Sequence, residues 1–170
     1  MPAATRPGMI TDVQPFLSAR DWRVTKPPDR SYLSLLDGSG AERARVHGLG
    51  RMRVHPRARQ VVEVQLPDGS TTTLRNGLRR WGTRRARTRG SLPLGGARYE
   101  FEHRTSRRAR VLGDGVWIAT AHREIRGPAV ELRAVLSPDD ELACALFAHV
   151  LGPGRGSVLG ALAEGMAGGS

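Results

Sequence analysis

A single cysteine, Cys144, leaves this chain no intramolecular disulfide and no thiolate cluster for a metal. That scarcity fits a reducing, cytoplasmic setting. No run approaches the ~20 consecutive apolar residues that span a bilayer, and Met1 to Phe16 has neither the charged start nor the apolar stretch of a secretory signal. Any membrane contact is then expected to be peripheral. The five histidines (47, 55, 103, 122 and 149) offer no pair at metal-helix spacing, so neither a metal nor a cofactor is expected. A Gly-x-Ser-x-Gly elbow and a Walker loop are both absent. Gly154-Arg155-Gly156, with Gly160 beyond, follows a helix and not a strand, which is the wrong context for a dinucleotide loop. Carboxylates fall singly along strands or gather where a helix starts. No catalytic residue is assigned, and the expectation is a non-enzyme.

Lysine is scarce as well: Lys26 is the only one among 27 basic side chains. Arginine with abundant Ala, Gly and Pro suggests a GC-rich coding sequence, so the formal charge of +11 is less informative than its distribution. Between Arg79 and Arg110 lie eleven arginines against Glu100 and Glu102, a local balance of +9 that leaves +2 for everything else. At 170 residues the chain suits one domain with one core.

Residues 1–20, with Pro2, Pro7, Gly8 and Pro15, read as an extended or disordered lead-in. From Asp21 the pattern becomes short alternating runs between turn residues, the signature of antiparallel strands with one face in water. Trp22 to Val24, Tyr32 to Leu36, Arg43 to Val46 and Arg51 to Val54 are strand candidates. Val61 to Leu66 and Ser70 to Leu74 flank Pro67-Asp68-Gly69 as the clearest hairpin. Arg98 to His103 alternates polar with aromatic residues. Arg108 to Leu112 and Val116 to His122 form a second hairpin about Gly113-Asp114-Gly115, and Ala129 to Leu136 closes the series with Val130, Leu132 and Ala134 on one face. The total is nine or ten strands, with Arg79 to Leu94 either hiding another or forming an inserted loop.

Ser137-Pro138-Asp139-Asp140-Glu141 changes the pattern. Serine supplies a capping oxygen, proline suits the first helical position, and three acids meet the positive end of the dipole. Leu142 to Leu151 follows, apolar on every side except at His149, and Gly152-Pro153-Gly154 stops it. A helix over 138–151 would be roughly 21 Å long at ~1.5 Å per residue, too short to cross a membrane. It must therefore be enclosed by protein, and the strands around it should form a closed antiparallel β-barrel. Cys144 within it reads as a buried inert thiol, and His149 as a core or helix-end histidine with a hydrogen-bond partner. The domain limits are then 21–151, with a Gly-rich tail over 152–170.

The order of these features resembles the tubby C-terminal-like barrels, in particular the LURP-one-related proteins and the phospholipid scramblases. The features are Asp-Gly turns after short strands (Leu35-Leu36-Asp37-Gly38 and Leu66-Pro67-Asp68-Gly69), the late strand Val116 to Ala121, and a strand running into an acid-started apolar helix between Val130 and Leu151. The resemblance implies a twelve-stranded barrel plugged by its C-terminal helix, with no shared catalytic residues. It also implies a binding or scaffolding role, of which phosphoinositide binding through basic surface residues is one form. The Gly-rich tail beyond Leu151 departs from that pattern.

The candidate anion site is Arg79, Arg80, Arg84, Arg85, Arg87 and Arg89, with Arg107 and Arg108 and the neighbouring Arg104 and Arg110. Guanidinium forks suit phosphate oxygens. Anionic lipid headgroups or another polyanion are the expected partners, and nucleic acid read by the same arginines is the alternative. A solvated, codon-biased loop without a ligand fits the same residues. Trp81 fits either the core or a stacking surface.

Overall fold

The computed structural model describes residues 14–15, 21–51, 53–77, 89–105, 107–124 and 127–153. Ten successive strands form a meander: β2 (Arg23–Thr25), β3 (Tyr32–Leu36), β4 (Glu42–His47), β5 (Val61–Gln65), β6 (Thr71–Asn76), β7 (Arg89–Leu94), β8 (Ala97–His103), β9 (Arg108–Gly113), β10 (Val116–Glu124) and β11 (Gly127–Leu132). A two-residue strand, β1 (Gln14–Pro15), joins the far edge beside β11. The result is one antiparallel sheet in the order β1-β11-β10-β9-β8-β7-β6-β5-β4-β3-β2.

Period-two patterning decides which face turns inward. Val62 and Val64, Leu92 and Leu94, Tyr99 and Phe101, and Ala109 and Val111 are buried, while the residues between them are half-buried or exposed. Turn chemistry sets the registers. The β9–β10 turn has both central residues left-handed, Asp114 at φ 48° and Gly115 at φ 80°. Gly95 and Gly96 do the same between β7 and β8, at φ 58° and 78°.

Those inner positions share a single apolar cluster with the helix. Helix α1 (Pro138–Leu146) continues as a π-helical stretch over Phe147–Leu151, so the two together keep the expected limits. Ser137 accepts from Asp140 N (3.2 Å) while Asp140 accepts from Ser137 N (2.9 Å), a complete capping box. Gly152 ends the run at φ 72°. Ala143 through Phe147 are wholly inaccessible, which places protein on every side of the helix. Phe147 stacks on Phe101 with ring centroids 5.1 Å apart, and Tyr99 donates to Asp140 Oδ1 at 2.8 Å.

The sheet does not close into a barrel, contrary to the expectation. Its edges are β2 on one side and β11 with β1 on the other, and these are not paired. Three causes are visible. β2 is three residues long, β1 covers only Glu131 and Leu132, and Pro128 in β11 has no N–H to offer a partner strand. Two further differences concern strands. Arg51 to Val54 is not a strand: the described residues Arg51, Arg53 and Val54 lie in a loop that begins with left-handed Gly48 and Gly50, which end β4 and its ladder. Arg89–Leu94, inside the undecided basic segment, is a strand fully paired with β8.

Candidate functional site

In a meander every connection alternates between two ends of the sheet, and here the two ends differ in charge. At one end lie the Asp37–Ala41, Leu66–Ser70, Gly95–Gly96 and Asp114–Gly115 turns and the start of α1. Its described connection and first-turn residues include Asp37, Asp68, Asp114, Asp139, Asp140 and Glu141 against Arg133, with Arg23, Arg43, Arg98 and Glu42 at adjoining strand ends. Four of these acids accept from backbone N–H groups, Asp140 in the capping box and the other three at turns. Asp37 accepts from Ser39 N (2.9 Å) and Ala41 N (3.1 Å), Asp68 from Ser70 N (2.9 Å), and Asp114 from Arg98 N (2.7 Å).

The opposite end carries the longer connections. Its described connection residues include Lys26, Arg30, Arg51, Arg53, Arg57, Arg59, Arg104 and Arg107, with Arg108 and Arg123 at adjoining strand ends, against Asp29 and Glu124. Lys26 and Arg123 are half-buried and the other eight cations are exposed. This end is a basic pole, and the helix runs toward it from the acidic one. The negative C-terminal end of the helix dipole thus points into the cations and the positive N-terminal end into Asp139, Asp140 and Glu141.

Four of the arginines ride on the 48–60 loop, which is tied down at several points. Lys26 Nζ donates to Gly50 O (2.9 Å) and Arg51 O (3.2 Å). Desolvation there, together with the Arg30 charge, lowers the Lys26 ammonium below its usual range. Gln60 Nε2 donates to Gly48 O (2.6 Å) and its carbonyl accepts from Arg57 N (2.7 Å). Buried Asn76 donates to Pro56 O at 3.0 Å, and His55 Nδ1 donates to Val150 O at 2.6 Å, joining the loop to the helix end. Arg30 (φ 54°) and Arg59 (φ 62°) are held in the left-handed region, where glycine is the unstrained choice.

Of the arginines singled out in the sequence, Arg79, Arg80, Arg84, Arg85 and Arg87, and with them Trp81, lie outside the described residues. Their segment leaves and rejoins the described chain at Gly77 and Arg89, both at the basic pole. Arg89 opens β7 opposite Glu102, and Arg107 and Arg108 are exposed at the β8–β9 turn beside Arg104. Arg98 lies toward the acidic end, 3.6 Å from Glu100. Arg110 and Arg133 lie over the Trp117 ring at 4.0 and 3.6 Å from its centroid, on the outer face of the sheet. The sequence reading missed Arg51, Arg53, Arg57 and Arg59. The repeated Arg-x-Arg around His55-Pro56 is the signal that could have found them.

Where the seam reaches the basic pole it opens into a cleft of about 350 Å³. Val24 from β2 and Pro128 from β11 line it with Val54, His55, Arg123 and Glu124, and Ala148, His149 and Pro153 line it from the helix end. Among the described residues no group of His, Cys, Asp or Glu is arranged to hold a metal, and no helix is long and apolar enough to cross a membrane.

Comparison of the chain with protein-family models, with curated proteins and with solved structures finds no match.

Proposed function

We propose that this protein is a non-enzymatic binding module that sets its basic pole against a polyanionic surface, anionic phospholipid headgroups first among them. The carrying observation is the uneven charge: ten described cations against Asp29 and Glu124 at one end of the sheet, and six acids of the turns and helix start at the other. A charge distribution of that kind orients a molecule in an external field as well as attracting it, so the protein would approach end-on, with the helix axis along the surface normal. The filled interior supports the reading, because the helix occupies the space in which a buried active site would otherwise form. A tubby-like or LURP-one-related architecture, opened along one seam, is part of the proposal. A sheet wrapped on a C-terminal helix supports it.

The test is co-sedimentation with phosphatidylcholine vesicles with and without phosphatidylserine. Binding should require the anionic lipid and weaken as salt shortens the screening length from ~30 Å at 0.01 M to ~8 Å at 0.15 M. Replacing Arg51, Arg53, Arg57 and Arg59 together by Ala should cost up to about 1 kcal/mol for each cation that reaches the surface. Equal binding by this variant and the wild type would remove the loop from the interface. Binding to a short DNA duplex with a steep salt slope, without vesicle binding, would transfer the pole to nucleic acid.

A further inference from the structure

The basic pole accounts for an anionic partner but not for the cleft in its midst. We propose that this cleft, at the open seam between β2 and β11, takes a hydrocarbon chain, so that the ligand is an amphiphile with its anionic head on the arginine rim. The inference builds on the surface reading above and adds a site to it. Three observations carry it. Val24, Val54, Pro128, Ala148 and Pro153 give the cleft an aliphatic stretch of wall beside a polar one of His55, Arg123, Glu124 and His149, the two chemistries an amphiphile presents. The volume, about 350 Å³, lies at the small end of the range usual for ligand sites, about 300–1,000 Å³. The location follows from the break in the sheet: beyond the short pairing with β1, the outer edge of β11 has no described partner strand, and Pro128 there lacks an N–H.

The floor argues against a bare phosphate as the occupant. It is made by Ala148, His149 and Pro153 at the C-terminal end of the helix, the negative end of its dipole. An anion pushed to the bottom would be repelled, whereas an apolar chain would be indifferent to the dipole and would gain by leaving water. Arg123 brings the pole's charge to the cleft, with Glu124 beside it, so the anionic head is placed on the exposed arginines around the cleft and not within it. An anionic lipid meets both demands at once, head outside and chain inside. None of the polar wall groups needs to be free for this, since the contact is made by the aliphatic wall.

Octyl phosphate, inorganic phosphate and octyl glucoside, each below its micelle concentration, are titrated calorimetrically into the whole protein. Octyl phosphate should bind at least ten-fold more tightly than either of the others, with intermolecular nuclear Overhauser effects from the octyl chain to Val24 and Val54 methyls. The Val54→Trp variant, which fills the cleft, should lose that advantage. Should that variant not fold, the methyl contacts in the wild type decide alone. Octyl phosphate binding no better than phosphate, or contacts at other methyls, would overturn the cleft. Vesicle binding in that case would leave the surface reading standing, and octyl phosphate binding without vesicle binding would overturn the surface and keep the cleft.

Discussion

Arg59 allows stability and binding to be separated at one position. It is the third residue of the turn closed by Gln60 N to Arg57 O at 3.0 Å, and its φ of 62° places its Cβ in the left-handed region. Holding a non-glycine residue there costs on the order of 1–2 kcal/mol. Glycine removes that strain but adds unfolded-chain entropy worth about 0.4–1 kcal/mol. The Arg59→Gly variant should therefore be as stable as the wild type or up to about 1.5 kcal/mol more stable. For a domain of this size each kcal/mol is worth about 2–4 °C in Tm. Arg59→Ala keeps the Cβ and the strain, so its Tm should stay with the wild type. Both variants lose the same cation, and both should weaken anionic-vesicle binding by about 1 kcal/mol, roughly five-fold. Differential scanning calorimetry and co-sedimentation read the two quantities separately. A Tm loss of several degrees in Arg59→Gly would refute the strain argument, and unchanged binding in both variants would take Arg59 off the docking surface.

Gly90→Ala would drive a methyl against Leu151 and toward Phe101 Cβ, where the helix end meets β7. A loss of about 1–3 kcal/mol is expected from urea unfolding, with an unchanged slope. Burial pushes the Cys144 thiol up, with Asp140 and Glu141 adding to the effect, so a thiol reagent should react only as fast as the native state opens. The Ser39 and Ser70 hydroxyls are the largest of the influences holding the Asp37 and Asp68 carboxyls below the usual carboxylate range. Because both are depressed, their contribution to stability is present above the unfolded value of about 3.9 and is lost as pH falls through the folded values. Carboxyl-carbon NMR titration of Ser39→Ala and Ser70→Ala should show the neighbouring aspartate moving upward.

What was legible in the sequence was mostly local. Ser137 with Asp140 three residues on, followed by Gly152, fixes both ends of the helix because capping needs only short-range chemistry. The Asp68-Gly69 and Asp114-Gly115 turns are equally local, and the β5–β6 and β9–β10 pairings appear where they were expected. Closure was the error. An all-apolar helix demands enclosure, but a sheet with unpaired edges can supply it, as the inaccessible Ala143 to Phe147 show, and nothing in the alternating pattern distinguishes that from a sealed barrel. β7 was obscured by Pro93, which reads as a strand breaker, although Gly95-Gly96 signals the hairpin. The arginines were sought as a run, whereas the fold gathers them by topology. Arg53, Arg57 and Arg107 are far apart in sequence and share an end only because their loops alternate with those of the aspartate turns.

The place of the plug in chain order has a consequence for biosynthesis. All eleven described strands precede Ser137, so a growing chain exposes the inner face of the sheet, from Leu33 and Val46 to Val130, before the residues that cover it have been made. Until Leu142 to Leu151 leave the ribosome, neither the meander nor its pairing with β1 has a core to settle on. Chains cut short of the helix should be the ones that chaperones hold and proteases remove. Release of the native protein from that scrutiny depends on about ten residues near the end of the fold.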